Sequence, residues 1–339
     1  MKKRNFIILL SISIFLLFLP ILLNKYNFVS NTGKPTLEQS IEDKEMWEEY
    51  ISLGLYRTTI TNNMTIEEIQ NEILKSHVFV TIYVRIETIY GTLENPSIGR
   101  GSGFVIDIDE NYIYIATNQH VVNMGNKNAK KYYIRFSNNI NNANTIMENY
   151  DLKGELIDFK YNPDYAIIKV DISNVPYNER YVFKAIPKIE EIQLEQGMTV
   201  YMYHMTKDCN ETLKQGTLSS TEKIEGFDTT MCYYTSPISV KGNSGSLIFT
   251  QNGQCLGMLV GKINNQSVII PYDLLVSNFE TIVGRPLYPE ENIEQENNEE
   301  NSIIEEMHQE PITHSYYRNR YEEINIIKEL PTPIWYIKE

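Results

Sequence analysis

The stretch VKGNSGSLIF, residues 240–249, sets Ser244 between Asn243 and Gly245, with Gly242 one step earlier, on the threshold of an apolar run. Glycine lets the backbone turn sharply and lets another group come close. A serine held on such a turn presents its hydroxyl outward while nearby N–H groups face the same spot, which suits an activated nucleophile. It equally suits an ordinary tight turn, because Gly, Asn and Ser are common turn formers. Two further residues bear on the choice. His120 follows the run YIYIATNQ, and an imidazole that titrates near about pH 6.5 can take a proton from a hydroxyl and return it at neutral pH. Asp164 follows Asn162 and Pro163 and precedes the apolar YAIIKV. Each alone reads as a loop or capping residue. Together they supply what hydroxyl chemistry needs: a nucleophile, a base for its proton, and a carboxylate that fixes the base's tautomer and balances its charge.

Such a trio must be held by elements far apart in sequence. From His77 the apolar period is two: in HVFVTIYVRI, Val78, Val80, Ile82, Val84 and Ile86 alternate with other residues, as in a half-buried strand. Roughly a dozen short runs of this kind follow, with turn residues between them and few helical stretches, which predicts an all-β barrel or sandwich architecture. Asn252–Gly253 between two of the runs is a strong hairpin signal. The strands are interrupted near residues 185–195 by AIPKIEEIQLEQG, which divides them into two similar halves, as two small barrels side by side would require. Upstream, Thr36 with Gln39 behind Pro35, and Thr65 with Glu68, carry capping-box patterns that predict two short helices. In the second, Ile66, Ile69, Ile73 and Leu74 form an apolar stripe expected to pack on the domain behind it.

Composition narrows the function classes. The formal net charge of −14 argues against a nucleic-acid binder, since phosphate contacts need a basic surface. Much of that acidity lies in PEENIEQENNEENSIIEEMHQE, residues 289–310, within a tail over 284–339 that has no sustained period and reads as solvated or disordered. Only the last residues, PTPIWYIKE, are apolar enough to dock. Cys209, Cys232 and Cys255 leave one bridge with a free thiol, or three free thiols, and their spacing offers no CxxC metal pattern. With five scattered histidines, no structural metal and no cofactor are expected. The N-terminus sets Lys2, Lys3 and Arg4 before an apolar run from Phe6 to Leu23, long enough to cross a bilayer with the basic end in the cytoplasm. Residues 1–24 are therefore expected to be a single-pass anchor, or a signal peptide if cleaved, with the body outside the cytoplasm.

Four blocks, GSGFVI, IATNQHVV, DYAIIKV and GNSGS, occur in the order His…Asp…Ser, and together they resemble chymotrypsin-fold serine peptidases. Their spelling is most similar to the bacterial HtrA (Deg) branch, and the likeness continues through CLGMLVGK and into VIIPYDLL as the last strands. The resemblance implies two six-stranded antiparallel β-barrels over residues 76–283 (about 76–188 and 189–283), behind a stalk with short helices over 25–75. It implies His120 as general base, Asp164 as its orienting partner, Ser244 as nucleophile, and the N–H groups of Gly242 and Ser244 as an oxyanion hole. By the same likeness Ile238, Val240, Val260 and Gly261 would line the pocket for the residue preceding the cut. Two departures stand out. The second glycine of the usual block is Ser246, and the residues after the barrels are too few and too acidic for a PDZ module.

The expected activity is that of a membrane-anchored extracytoplasmic serine endopeptidase acting on protein or peptide substrates, in envelope quality control or processing. A binding or sensing module, or an envelope chaperone on the same fold, remains the alternative. Oligomeric state is not written in the sequence.

Overall fold

A computed structural model describes residues 37–288 apart from 62, 89–90, 123–128, 139, 141, 189–193, 206–209, 221–223, 227–229, 236–238, 240–241 and 264–265. The period-two run at His77 becomes strand β1 (His77–Thr88), which pairs antiparallel with β2 (Gly91–Ile108) so that His77 lies opposite Phe104. With β3 (Tyr112–Thr117), β4 (Ala129–Phe136), β5 (Gly154–Lys160) and β6 (Tyr165–Asp171) these close a barrel in the order β1-β2-β3-β6-β5-β4. Its interior is filled by inward-facing branched residues, among them Val78, Val80, Ile115 and Ile168, all fully buried. That is the packing expected where alternate positions of every strand face one core.

The second half differs from expectation. β7 (Thr199–Met205), β8 (Glu211–Thr217), β9 (Ile224–Gly226), β10 (Thr230–Thr235), β11 (Leu247–Thr250), β12 (Cys255–Ile263) and β13 (Gln266–Pro271) form a seven-stranded sheet in the order β8-β7-β11-β12-β13-β10-β9, not a closed six-stranded barrel. The outer edge of β10 is shared, which explains the difference. Its first residues, Thr230 to Cys232, pair with β9, and Thr235 meets the other end of the sheet in an isolated bridge to Leu218. Among the described residues the sheet thus curls to a point of contact without closing as a ladder. Val200, Met202, Leu218, Ile248, Leu256, Leu259 and Ile269 make its core. Asn252 and Gly253 turn β11 into β12 as predicted, with Thr250 N–H donating to Gln254 O at 2.9 Å.

Among the described residues, two helices precede the strands. Helix α1 (Leu37–Ser52) belongs to the body rather than to a stalk: Trp47 and Tyr50 are buried, the Trp47 ring lies 5.5 Å from Tyr181, and its Nε1–H donates to Glu110 O at 2.9 Å. A few aromatics do this packing, so no broad apolar stripe announces it. Helix α2 (Ile66–Leu74) opens with the full capping box, in which Thr65 accepts from the Glu68 N–H and the Glu68 carboxylate accepts from the Thr65 N–H. Of its predicted stripe, Ile69, Ile73 and Leu74 are buried and Ile66 is exposed. Helices α3 (Gln119–Val122) and α4 (Ala143–Asn149) interrupt the first barrel.

The stretch VIIPYDLL is strand only to Pro271 and then becomes helix α5 (Tyr272–Val283), which ends at Gly284. Packing continues past Val283, because Leu287 is buried and Arg285 reaches Asp107. The described residues through Leu287 form one compact unit. The expected anchor, Phe6 to Leu23, and the acidic tail lie outside the described residues. Among those described, no helix is long and apolar enough to cross a membrane.

Candidate active site

Strand register brings the first two candidates together. β3 and β6 run antiparallel with Thr117 opposite Ala166, so the end of β3 lies beside the start of β6. His120 follows β3 on α3, and Asp164 immediately precedes β6. One carboxylate oxygen of Asp164 accepts from the His120 backbone N–H at 2.9 Å, and the other meets His120 Nδ1 at 2.5 Å. Asn118 donates to Asp164 O at 2.9 Å, fixing the aspartate's own backbone. The Asp164 carboxylate is mostly buried while the His120 ring is substantially exposed, at side-chain exposures of 14% and 41%. With Nδ1 taken by Asp164, the proton-accepting nitrogen left to His120 is Nε2.

Ser244 comes from the second sheet, on the turn that enters β11. Ser246 N–H donates to Asn243 O at 2.9 Å, closing the turn, while Gly245 N–H and Leu259 O pair at 2.9 Å to hold it against β12. Gly242 and Gly245 have φ of 98° and 91°, which L side chains avoid. At Gly245 a Cβ would also lie 1.9 Å from Ser102 O, so the turn can press on β2 only with glycine there. Ser102 holds the turn from the first barrel: its N–H donates to Ser244 O at 2.8 Å and its hydroxyl to Gly242 O at 3.2 Å. Thr117, at the end of β3, donates to Ser102 O at 2.7 Å. A Cβ built on Gly101 would meet Val121 of α3 at 2.6 Å and Ser244 O at 3.0 Å. The Ser244 turn and the helix bearing His120 are therefore packed on one short piece of β2.

The Ser244 hydroxyl itself donates to Val260 O at 3.0 Å. Thus the fold bonds His120 to Asp164 directly and sets Ser244 on the same seam, with its hydroxyl bonded to β12. Because the Asn243 carbonyl is turned toward Ser246 N–H, a trans peptide points the Ser244 N–H the other way. Of the expected pocket, Val260 is buried, and among the described residues nothing lies within 4 Å of where a Cβ on Gly261 would stand. Ile238 and Val240 lie outside the described residues. Cys255 is a buried free thiol whose pKa burial drives far up, which makes it a poor nucleophile.

Ser246, noted in the sequence only as a departure, and His204, to which the sequence reading gave no role, complete the turn's support. The Ser246 hydroxyl donates to Tyr203 O of β7 at 3.1 Å, and its φ is outside the left-handed region. The departure from a second glycine is thus accommodated without strain. His204, also on β7, bonds through Nδ1 to Asn243 Oδ1. His77 of β1 lies nearby, fully buried, its ring 6.0 Å from that of Tyr203. Burial, with the charge of His204 adding to it, pushes the His77 imidazole down to about 3. No fixed spacing ties Tyr203 or His204 to Asn243 and Ser246; only a histidine in the apolar run YMYHM hinted at a polar neighbour.

One closed six-stranded barrel with a second antiparallel sheet makes a mostly-β, chymotrypsin-like fold. Residues 101–258, from β2 into β12, match the family model of the trypsin-like peptidase domain. Among solved structures, the serine endoprotease from Yersinia pestis is similar at 19% identity and a TM-score of 0.44, over 66% of this chain and 70% of that one. No curated protein sequence matches.

Proposed function

We propose that this protein is a serine endopeptidase in which Ser244 is the nucleophile, His120 the general base and Asp164 the residue that orients it. The observation that carries the reading is the double bond set from Asp164 to the His120 backbone and ring, beside a glycine-bounded serine turn. In this reading the Ser244 hydroxyl leaves Val260 O and turns toward His120 Nε2. Oγ then attacks the scissile carbonyl carbon while Nε2 takes its proton, and the carbonyl π pair moves onto oxygen. The N–H groups of Gly242 and Ser244 receive that oxyanion. Collapse expels the amine, which takes the proton from His120 and leaves an acyl-serine. Water, deprotonated in turn by His120, releases the acid and restores the hydroxyl. No step calls for a cofactor.

The pocket reading is apolar. Ile238, Val240, Val260 and Gly261 offer no counter-charge, so a bound Lys or Arg would shed water without a partner, costing several kcal/mol. Aliphatic selection is loose, because a buried methylene contributes only about 0.8 kcal/mol. Cleavage therefore falls after Val, Ala, Ile or Leu. The Phe6–Leu23 run behind Lys2, Lys3 and Arg4 supports an anchored domain outside the cytoplasm, where protein or peptide substrates of the envelope are met.

One experiment addresses these points. A membrane-impermeant fluorophosphonate labels wild-type protein on intact cells and does not label Ser244→Ala, and the purified wild type cuts a peptide library after small or medium apolar residues. Labelling that survives Ser244→Ala overturns the nucleophile, and a dominant basic preference overturns the pocket. A probe that reacts only after lysis overturns the location. A folded wild-type protein that never reacts makes this a binding module on a peptidase fold.

A further inference from the structure

The nucleophile turn is held from β7 at two points that bracket Ser244. Asn243, one residue before it, is fully buried, and its side-chain oxygen faces His204 Nδ1, while its Nδ2 faces Met202 Sδ at 3.8 Å. Ser246, two residues after it, donates to Tyr203 O. The amide oxygen of Asn243 can only accept, so the His204 nitrogen facing it carries the proton and donates. The side chain that His204 holds belongs to the residue between Gly242, at φ of 98°, and Ser244. Those two contribute the N–H groups assigned above to the oxyanion. His204 Cε1 also lies 4.0 Å from where a Cβ on Gly242 would stand, so the ring is near that residue as well as bonding the next side chain.

We propose that His204 is a positioning residue for the oxyanion hole: its Nδ1–H fixes Asn243 and, through it, the Gly242 and Ser244 peptides. This rests on the peptidase reading of the preceding section. Without the donor, the buried Asn243 oxygen loses its partner, and the strain of replacing it falls on the backbone on which the nucleophile sits. The loss then falls on transition-state stabilisation more than on substrate binding, because the oxyanion is present only beyond the Michaelis complex. His77 supports the arrangement from behind, buried against Tyr203 and held neutral at working pH, so it adds no charge to the turn.

The test uses full-length protein carrying His204→Phe, which fills the ring's space without a donor, and His204→Asn, whose Nδ2 can take the place of Nδ1–H. The second-order rate of fluorophosphonate labelling, kcat and KM on a peptide substrate, and Tm are measured for each. His204→Phe is expected to lower kcat and the labelling rate about 10- to 100-fold, the scale of a misplaced reacting group, with KM within about twofold. His204→Asn is expected to recover most of both rates. Should His204→Phe fail to fold, His204→Ala takes its place beside His204→Asn. Equal loss in the donor and non-donor variants, wild-type rates in both, or a loss confined to KM overturns the proposal. A wild type that labels while His204→Phe labels equally fast overturns this inference alone; a wild type that never labels overturns the peptidase reading beneath it.

Discussion

Asp164 meets His120 at both the backbone N–H and ring Nδ1, so it fixes the ring's place and its tautomer together. Replacing it with asparagine separates these roles. In Asp164→Asn the amide keeps the size of the carboxylate, and the Asn118 bond to the backbone oxygen at 164 is untouched, so the turn stays folded. The side-chain N–H can then donate to Nδ1 and drive the ring proton onto Nε2, where it blocks acceptance from Ser244. We expect kcat to fall by about 10⁴ with Tm within a few degrees, read from peptide hydrolysis and thermal unfolding of the same sample. A loss below tenfold would remove Asp164 from the mechanism. The three candidates could be picked out because each borders a recognisable strand, and of them the structure bonds Asp164 to His120. Ser102, His204 and Ser246 could not be picked out this way. Their contacts with the turn arise where two sheets meet, and no spacing along the chain encodes that approach.

Between elements, a buried charge cluster ties segments from both ends of the domain to β2. Asp107 is fully buried. It pairs with Arg57 at 2.5 Å and Arg285 at 2.6 Å, and accepts from Tyr56 O–H at 2.7 Å. Arg57 precedes the first strand and Arg285 follows α5, so one carboxylate joins three segments that the barrel alone would leave loose. Removing it in Asp107→Ala strands a buried guanidinium, and breaking a buried pair in this way costs about 3–5 kcal/mol. Urea titration should show that loss in unfolding free energy, while labelling of Ser244 in the folded fraction stays near wild type because the cluster does not touch the turn. A change under about 1 kcal/mol would show that water replaces the partner. The strands themselves were readable from their period of two. The boundary elements were not: α1 packs chiefly through Trp47 and Tyr50, with Ile51 half-buried beside them, α5 follows β13 directly, and the edge of β10 is divided by pairing partners distant in sequence.

At the scale of the whole molecule, the proposed activity depends on the seam where the barrel and the second sheet meet, since His120 and Ser244 come from opposite sides of it. His77 is buried in that seam, on β1 with its ring against Tyr203 of β7, and its Nε2 has no hydrogen-bond partner among the described residues. Burial holds its imidazole down at about 3, against about 6.5 in an unfolded chain. The unfolded chain therefore binds a proton that the native seam refuses between these two values. Stability from this group is fully present above about pH 6.5 and is lost as pH falls toward 3, at up to about 1.4 kcal/mol per pH unit. Carboxylates held low in the native state, such as Asp171 beside Ser173, lose stability on acidification too, so the comparison must be with a variant. In His77→Phe the ring shape is kept and the titration removed. We expect Tm of the wild type to drop more steeply than that of His77→Phe between pH 7 and pH 4.5, with Ser244 labelling failing at the same pH as the fold. Parallel Tm profiles would mean that the seam admits water and protonates His77 at little cost, and that its acid sensitivity lies elsewhere.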